Sequence, residues 1–540
     1  MTGSTRRSLD RVTRAALIAI LAAFAITAIY MRQSAITTGE DDAEYVLLSR
    51  ALLDFQYLDV ADASRAPHTR YPPGYPAALA AVSAVADERL SALTMVGIGW
   101  SLLTLVLVFA IARPLVGERW SLAVCALVAL NPSFVSGAGS IVSEPQFTAF
   151  TALTLWAGLR EPRTAGNDTL AAAAAILGAM TRLAGVTLVA ALLVDWLIRR
   201  RFRSALALAA VSALTIGSWL TYAASAPQQF VGDSYIADAR SIVSPESAPH
   251  EAARAQAAPQ SAAERFARRS FRHAQWYVTQ GLPYRLAVPT IRRTIVDNIF
   301  WVAALAVLVT LGSASIWRRS RLVVVFLAVY AGLLVFWRWG VARFLDPVIP
   351  FILLAALAGC AVLGRRGRPW LGYAALALFA VPLAFSNLRL DAAAVGRAAD
   401  CDRDHPTGSP ACFPRETDRA FFAAAEHAAT ITAPSAIFVT PKEHTFYYYA
   451  GRKIFPLRRA VALPEPVMLD SLRASGVQHV ILAQLGPGQG QFAARLRAVC
   501  ERLELIRQFD PTVILFRVRG VDEPADPQAC PAVRNFRPRS

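Results

Sequence analysis

About eleven stretches of this chain are apolar for long enough to cross a lipid bilayer, and short arginine clusters separate them at alternate connections. They fall near residues 14–31, 91–112, 120–137, 142–159, 169–183, 184–198, 204–225, 297–315, 321–337, 345–363 and 370–387. Backbone in lipid must satisfy its own hydrogen bonds, so runs of this length and polarity fold as helices. The fifth and sixth are short and are divided only near Arg182 to Gly185. Arg113 and Arg119, Arg160 and Arg163, Arg199 to Arg203, Arg318 to Arg321, and Arg365 to Arg368 all lie on alternate connections. With the basic N-terminus (Arg6, Arg7, Arg11, Arg14) inside, the positive-inside rule assigns every cluster to the cytoplasm. The expectation is a multi-pass protein of the cell (inner or plasma) membrane. Its N-terminus is cytoplasmic, and everything after residue 388 is extracytoplasmic.

Composition agrees. The 540 residues are 55% hydrophobic and only 17% charged, with a mean hydropathy of +0.40, far from an average soluble domain. The net charge of +17 would suit nucleic acid, but the arginines sit between apolar spans and no polar domain interleaves them with stacking aromatics. Loop bias explains them, and no nucleic-acid partner is expected. The first apolar run is longer than a signal-peptide core and no small-x-small site follows it, so it reads as an uncleaved first span. Of six cysteines, Cys125 and Cys360 lie inside apolar runs and read as packing residues. Cys401, Cys412, Cys500 and Cys530 fall in the polar tail, where an oxidising compartment permits disulfides. The expected pairs are 401 with 412 and 500 with 530, from three possible pairings.

On this topology the polar connections 32–90, 138–145, 226–296 and 338–346 share the outer side with the tail. The long connection 226–296 starts Ala/Pro/Ser-rich and continues, from Glu264 to Tyr277, as a basic aromatic helix at the lipid surface or simply a solvated one. From about 400 the pattern changes. Short β-like runs (436–440, 479–483, 513–518) alternate with helical stretches around 417–429, 465–475 and 490–503, which reads as a small α/β domain. The domains expected are therefore 1–390, a membrane domain with outer loops 32–90 and 226–296, and 391–540, an extracytoplasmic α/β domain.

Ionisable residues concentrate on that outer side. Asp41, Asp42 and Glu44 lie within one turn of an amphipathic helix over 42–54, whose apolar face includes Val46, Leu47, Leu52 and Leu53; Asp41 and Tyr45 share a face. A carboxylate at a water-poor membrane edge suits general-base chemistry; equally, acidic residues favour a helix N-terminus for its dipole. His68, Arg70 and Tyr71 precede Pro72, Pro73 and Pro76 and are placed to face a phosphate or a sugar, although a lone loop histidine is ordinarily just polar. Arg338 and Arg343 break an outer edge where the positive-inside rule disfavours arginine, and a guanidinium fork suits phosphate oxygens. A salt bridge from Arg343 to Asp346 is the plain alternative. Glu144 stands at the outer end of the fourth span. It and Arg182 also fit a structural ion pair.

Taken in order, these segments resemble the GT-C superfamily of polyprenyl-phosphate-sugar-dependent glycosyltransferases. The nearest pattern is the family-39-like group of protein O-mannosyltransferases, the lipid A aminoarabinose transferase and rhizobial lipopolysaccharide glycosyltransferases. Asp41-Asp42-x-x-Tyr45 resembles that group's Asp-Glu-x-x-Tyr, Tyr71 to Pro76 its Pro-Pro-x-x-Pro, and Ser143-Glu144-Pro145 its second outward acidic position. Arg343-Phe344-x-x-Pro347-x-x-Pro350 resembles its Arg-Tyr-x-x-Pro-x-x-Pro, and Tyr447 to Arg452 its extracytoplasmic domain. Asp42 stands where the group has Glu, and Glu44 is additional.

The resemblance implies an inverting transferase of the cell envelope. It takes a sugar from a polyprenyl-phosphate donor and passes it to a lipid, glycan or protein acceptor among the membrane lipids. Asp41 is the implied base, with Asp42, Glu44 and Glu144 positioning the acceptor or a divalent metal ion, and Arg343, with Arg70 or Arg338, holding phosphate. Two other classes stay open. A flippase or transporter of lipid-linked sugars needs midplane charges and often repeated halves, and a non-catalytic membrane scaffold would be indifferent to loss of Asp41.

Overall fold

The computed structural model describes residues 9–37, 39, 41–86, 88–161, 164–226, 234–243, 261–288, 295–365, 368–404, 415–464, 467–486 and 488–537. Each of the eleven apolar runs is helical within this set. Among the described residues, five helices are long and apolar enough to cross a membrane: Arg11–Tyr30, Leu90–Val116, Phe202–Ser225, Ala342–Gly364 and Pro369–Cys401. A sixth candidate is a bent helix pair. Glu118–Ala129 and Pro132–Ala138 pass the test together but meet at 65°. Leu130 closes the first of these helices and Asn131 caps the second, accepting the Phe134 N–H, while Pro132 has no N–H to leave unpaired. The remaining runs are shorter helices, Leu183–Ile198 and Arg321–Phe336 among them.

By contact the chain divides into two compact units. The first comprises residues 1–33, 69–78 and 91–400. Its core runs through completely buried side chains such as Phe147, Leu188, Phe326 and Phe351. Helices Ile295–Trp317 and Ile349–Gly364 pack through glycines. A Cβ on Gly312 would strike the Ala355 carbonyl, and one on Gly359 the Leu308 carbonyl. Small residues of this kind let helix backbones approach where lipid supplies no hydrophobic drive.

The second unit comprises residues 34–68, 79–90 and 401–540, so most of the connection 32–90 groups with the C-terminal residues. Its five-stranded sheet has the order β2-β1-β3-β5-β4, with β1 Ile437–Val439, β2 Lys453–Ile454, β3 Val477–Ala483, β4 Leu503–Asp510 and β5 Val513–Val518. β1 pairs in parallel with β2 and β3, and β5 pairs antiparallel with β3 and β4. Of these strands the sequence pattern marks β1, β3 and β5. The loop caps the β2 edge, since Ile454 donates to the Ala61 carbonyl and accepts from the Ala63 N–H, each at 2.9 Å. Leu47 and Ala61 then share a buried core with Phe421, Phe422, Phe438 and Phe446.

Cys500 and Cys530 form a disulfide. Cys401 is disulfide-bonded as well, and its expected partner, Cys412, lies outside the described residues. Cys125 and Cys360 are free and buried. The helix expected over 42–54 spans Asp42–Leu53 and buries Val46 and Leu47, but Leu53 is exposed. Buried Tyr45 and Leu48 replace it, so the apolar face is rotated from the one expected.

Candidate active site

The carboxylate cluster belongs to the second unit. Asp41 occupies the N-cap of helix Asp42–Leu53, but its side chain does not bond the helix's free N–H groups. The Tyr45 N–H donates to the Asp41 carbonyl at 3.1 Å, which sets those two residues one turn apart. Asp41 remains partly open to solvent, whereas Asp42 is completely buried. Its two carboxylate oxygens accept the N–H groups of Thr37 and Ala43, each at 2.8 Å. A buried carboxylate held by two amides fixes the chain entering the helix.

Glu44 lies between two histidines, 3.7 Å from Nδ1 of His68 and 3.7 Å from Nδ1 of His444. Nε2 of His444 reaches Asp59 at 3.1 Å. Burial alone would raise the Asp59 carboxyl, but the His444 imidazolium beside it holds it well below the usual carboxylate range. Burial likewise opposes charge on His444, yet Asp59 and Glu44 outweigh it and push the imidazole up to about 10. The neighbouring Glu443 is raised by burial and accepts the Leu457 N–H at 2.7 Å. His68 is buried, with the Tyr57 ring edge-on 5.5 Å away, so it sits with the carboxylates.

The arginine cluster belongs to the first unit. The chain breaks between helices Ala165–Thr181 and Val186–Ile198, and that break places Arg182 against Glu144 at 2.6 Å and Ser143 Oγ at 2.9 Å. Glu144 opens helix Glu144–Leu159, and Nε of Arg343 lies 3.7 Å from the same carboxylate. Asp346 pairs with Arg285 at 3.3 Å. Three guanidinium groups thus gather around two carboxylates. Tyr330 donates to the Phe344 carbonyl at 2.8 Å, and the Tyr277 hydroxyl accepts the Val341 N–H at 3.2 Å, which fix the short helical stretch Ala342–Val348 that carries Arg343. The Arg70 guanidinium lies over the Tyr71 ring, 5.4 Å from its centroid, and that of Arg338 over Trp339 at 5.3 Å.

Two described parts of the long connection 226–296 lie on the same neighbourhood. Asp238 accepts from Trp339 Nε1 at 3.0 Å, and Tyr235 packs on Trp337. In the basic helix Ala262–Trp276, Phe266 stacks on Phe336. Among the described residues no group of three or more His, Cys, Asp or Glu side chains is arranged to hold a metal ion.

The spacing arguments missed Asp59, His444 and Arg285. Asp59 and His444 are 385 positions apart, beyond any local pattern. A usable hint was Glu443-His444, a charged pair just upstream of the aromatic run Tyr447 to Tyr449.

Residues 70–222 match the family model described as dolichyl-phosphate-mannose-protein mannosyltransferase. No curated protein matches the chain in sequence. Among solved structures, ArnT from Cupriavidus metallidurans bound to undecaprenyl phosphate superposes with a TM-score of 0.55 at 15% identity, covering 94% of this chain and 98% of ArnT. The oligosaccharyltransferase AglB from Archaeoglobus fulgidus, in complex with an inhibitory peptide and a dolichol-phosphate, gives 0.51 at 14% identity, covering 87% of this chain and 70% of AglB. The chain therefore shares its fold with ArnT and AglB. The match over residues 70–222 covers less than half of the chain and marks that stretch as similar to the mannosyltransferase model.

Proposed function

We propose that the protein transfers one sugar from a polyprenyl-phosphate carrier to a lipid, glycan or protein acceptor at the outer face of the membrane, with inversion at the anomeric carbon. The observation that carries this reading is the division between Asp41 and Asp42. Asp42 is spent on two backbone amides, while Asp41, one residue earlier, is partly open and does not cap its helix. Asp41 takes the proton of the acceptor hydroxyl as its oxygen bonds to the anomeric carbon. The bond from that carbon to the phosphate oxygen breaks, and polyprenyl phosphate leaves with the electron pair. A phosphate monoester is a good leaving group, so no covalent enzyme intermediate is needed.

The cations for that leaving group are Arg343, Arg182 and Arg285, with Glu144 and Asp346 orienting them. Arg70, Tyr71 and Arg338 flank the donor; the connection 226–296, expected to close over it, lies in part outside the described residues. The disulfides of the C-terminal unit and the free thiols of the membrane helices support an outward-facing site.

The test is release of polyprenyl phosphate from labelled polyprenyl-phosphate sugars by protein in lipid nanodiscs, with a membrane extract as acceptor. Asp41→Asn is expected to lose about 10²–10⁴-fold in turnover while still binding donor, the range for a general base. Equal turnover in the variant would remove Asp41 from the role. Donor binding without turnover in the wild type would favour the flippase.

A further inference from the structure

We propose that His444, on the first helix after β1, is a positioning residue for the transfer reaction, and that holding the catalytic turn is what the α/β domain contributes. The proposal rests on the reading of Asp41 as base, but its geometry stands by itself. Helix Glu443–Ala450 meets the approach to helix Asp42–Leu53 along its length. Thr445 Oγ1 donates to the Thr37 carbonyl at 3.0 Å, and the Tyr449 hydroxyl donates to the Ile36 carbonyl at 2.9 Å. Those two bonds reach the strand of chain whose next amide, that of Thr37, is held by Asp42. His444 supplies the ionic part. One ring nitrogen bonds Asp59 at 3.1 Å, and the other lies 3.7 Å from Glu44 in the first turn of the catalytic helix.

A neutral polar side chain could fill the same space, so packing does not explain a histidine here. Two partly buried carboxylates, from different parts of the loop, face one imidazole. Without a cation between them they would repel and lose solvation together. The His444 imidazolium converts that repulsion into a clamp across Asp59 and Glu44. The first helical turn, and with it Asp41, is thereby set in place. His68 reaches Glu44 from the opposite oxygen and Arg458 acts on Glu443 nearby, so the site holds several charges of both signs. His444 touches neither donor nor acceptor in this reading. It works through Glu44 and the turn behind it.

The test compares His444→Gln, His444→Lys and Asp59→Asn with the wild type in nanodiscs, reading kcat, the donor KM, thermal stability and hydrogen exchange over residues 36–47. His444→Gln should lower kcat by about 10²-fold, the scale of a misplacement near 1 Å, with donor KM within about threefold. Exchange over 36–47 should rise, and His444→Lys, which restores a cation, should recover at least about tenfold of the lost kcat. Asp59→Asn should move kcat and exchange the same way by less, and keeps the test alive if His444→Gln does not fold. Unchanged exchange, a kcat loss matched by loss of folded protein, or a Lys variant no better than Gln would each overturn the proposal. The Asp41→Asn result separates it from the reading beneath. If that variant is inactive and His444→Gln is fully active, only the positioning role fails. If Asp41→Asn is active while His444→Gln is impaired with raised exchange, only the base assignment fails.

Discussion

Three carboxylates that look interchangeable in Asp41-Asp42-Ala43-Glu44 have three different surroundings. Asp42 is shut in by backbone amides, Glu44 stands between imidazoles, and Asp41 stands at the N-cap position without a side-chain capping bond, partly open. Composition places acid at this turn, and only folding sorts the acids by neighbour. The His444–Asp59 pair has a consequence that can be measured. His444 is raised to about 10 from an ordinary value near 6.5. Its contribution to stability is complete below about pH 6.5 and is lost as pH rises toward and through 10. Asp59 is lowered, so its contribution is present above about pH 3.9 and is lost as pH falls through its folded value. The pair therefore stabilises its unit most between about pH 4 and 6.5. The thermal midpoint should fall between pH 6.5 and 9.5, and His444→Gln should flatten that slope. An equal slope in the variant would mean other groups govern it.

Helices were the most legible elements, because lipid leaves an apolar run of this length little else to become. All eleven segments are helical, and the weakest division, near Arg182, is a real break that turns an arginine toward Glu144. Strands were less legible. β2 is two residues long, with no period to detect, and β4 begins at Leu503, inside the stretch read as helix to that point. The helix there ends at Ala498, Leu503 and Leu505 turn to the core, and a bulge between Leu505 and Arg507 breaks the two-residue period that would have marked the strand. Glycine packing between membrane helices was not visible at all, since a lone glycine in an apolar run carries no signature of its partner. It gives a prediction at this scale. Gly359→Leu would drive a side chain into the Leu308 backbone and should lower the thermal midpoint of the membrane unit, leaving the pH response of the C-terminal unit in place. A gentler Gly359→Ala should do the same by less. A wild-type midpoint for the leucine variant would show that these helices have room to separate.

At the scale of the whole molecule, thiol chemistry divides the chain as polarity does. The membrane helices hold free buried Cys125 and Cys360, and the C-terminal unit holds the oxidised cysteines. Cys500 and Cys530 are 30 positions apart, and closing a loop of that size is worth about 3–4 kcal/mol. Replacing both by serine should cost about 2–5 kcal/mol and be read in a denaturant titration of the full-length protein followed by near-ultraviolet dichroism. A cost near zero would mean that the core around Phe492 and Phe516 holds that end of the unit without help. The joining of residues 34–68 with 401–540 was not legible in the sequence, since nothing in either segment alone names the other.

That joining also sets a clock on synthesis. The ribosome makes Asp59 385 positions before the His444 that will hold it, an interval on the order of 20–80 s at ordinary elongation rates. During that time residues 34–68 are without the residues that complete their core. An unfinished chain therefore carries its proposed base on an unsupported turn, and the proposed site is complete only once the last region has been made and folded.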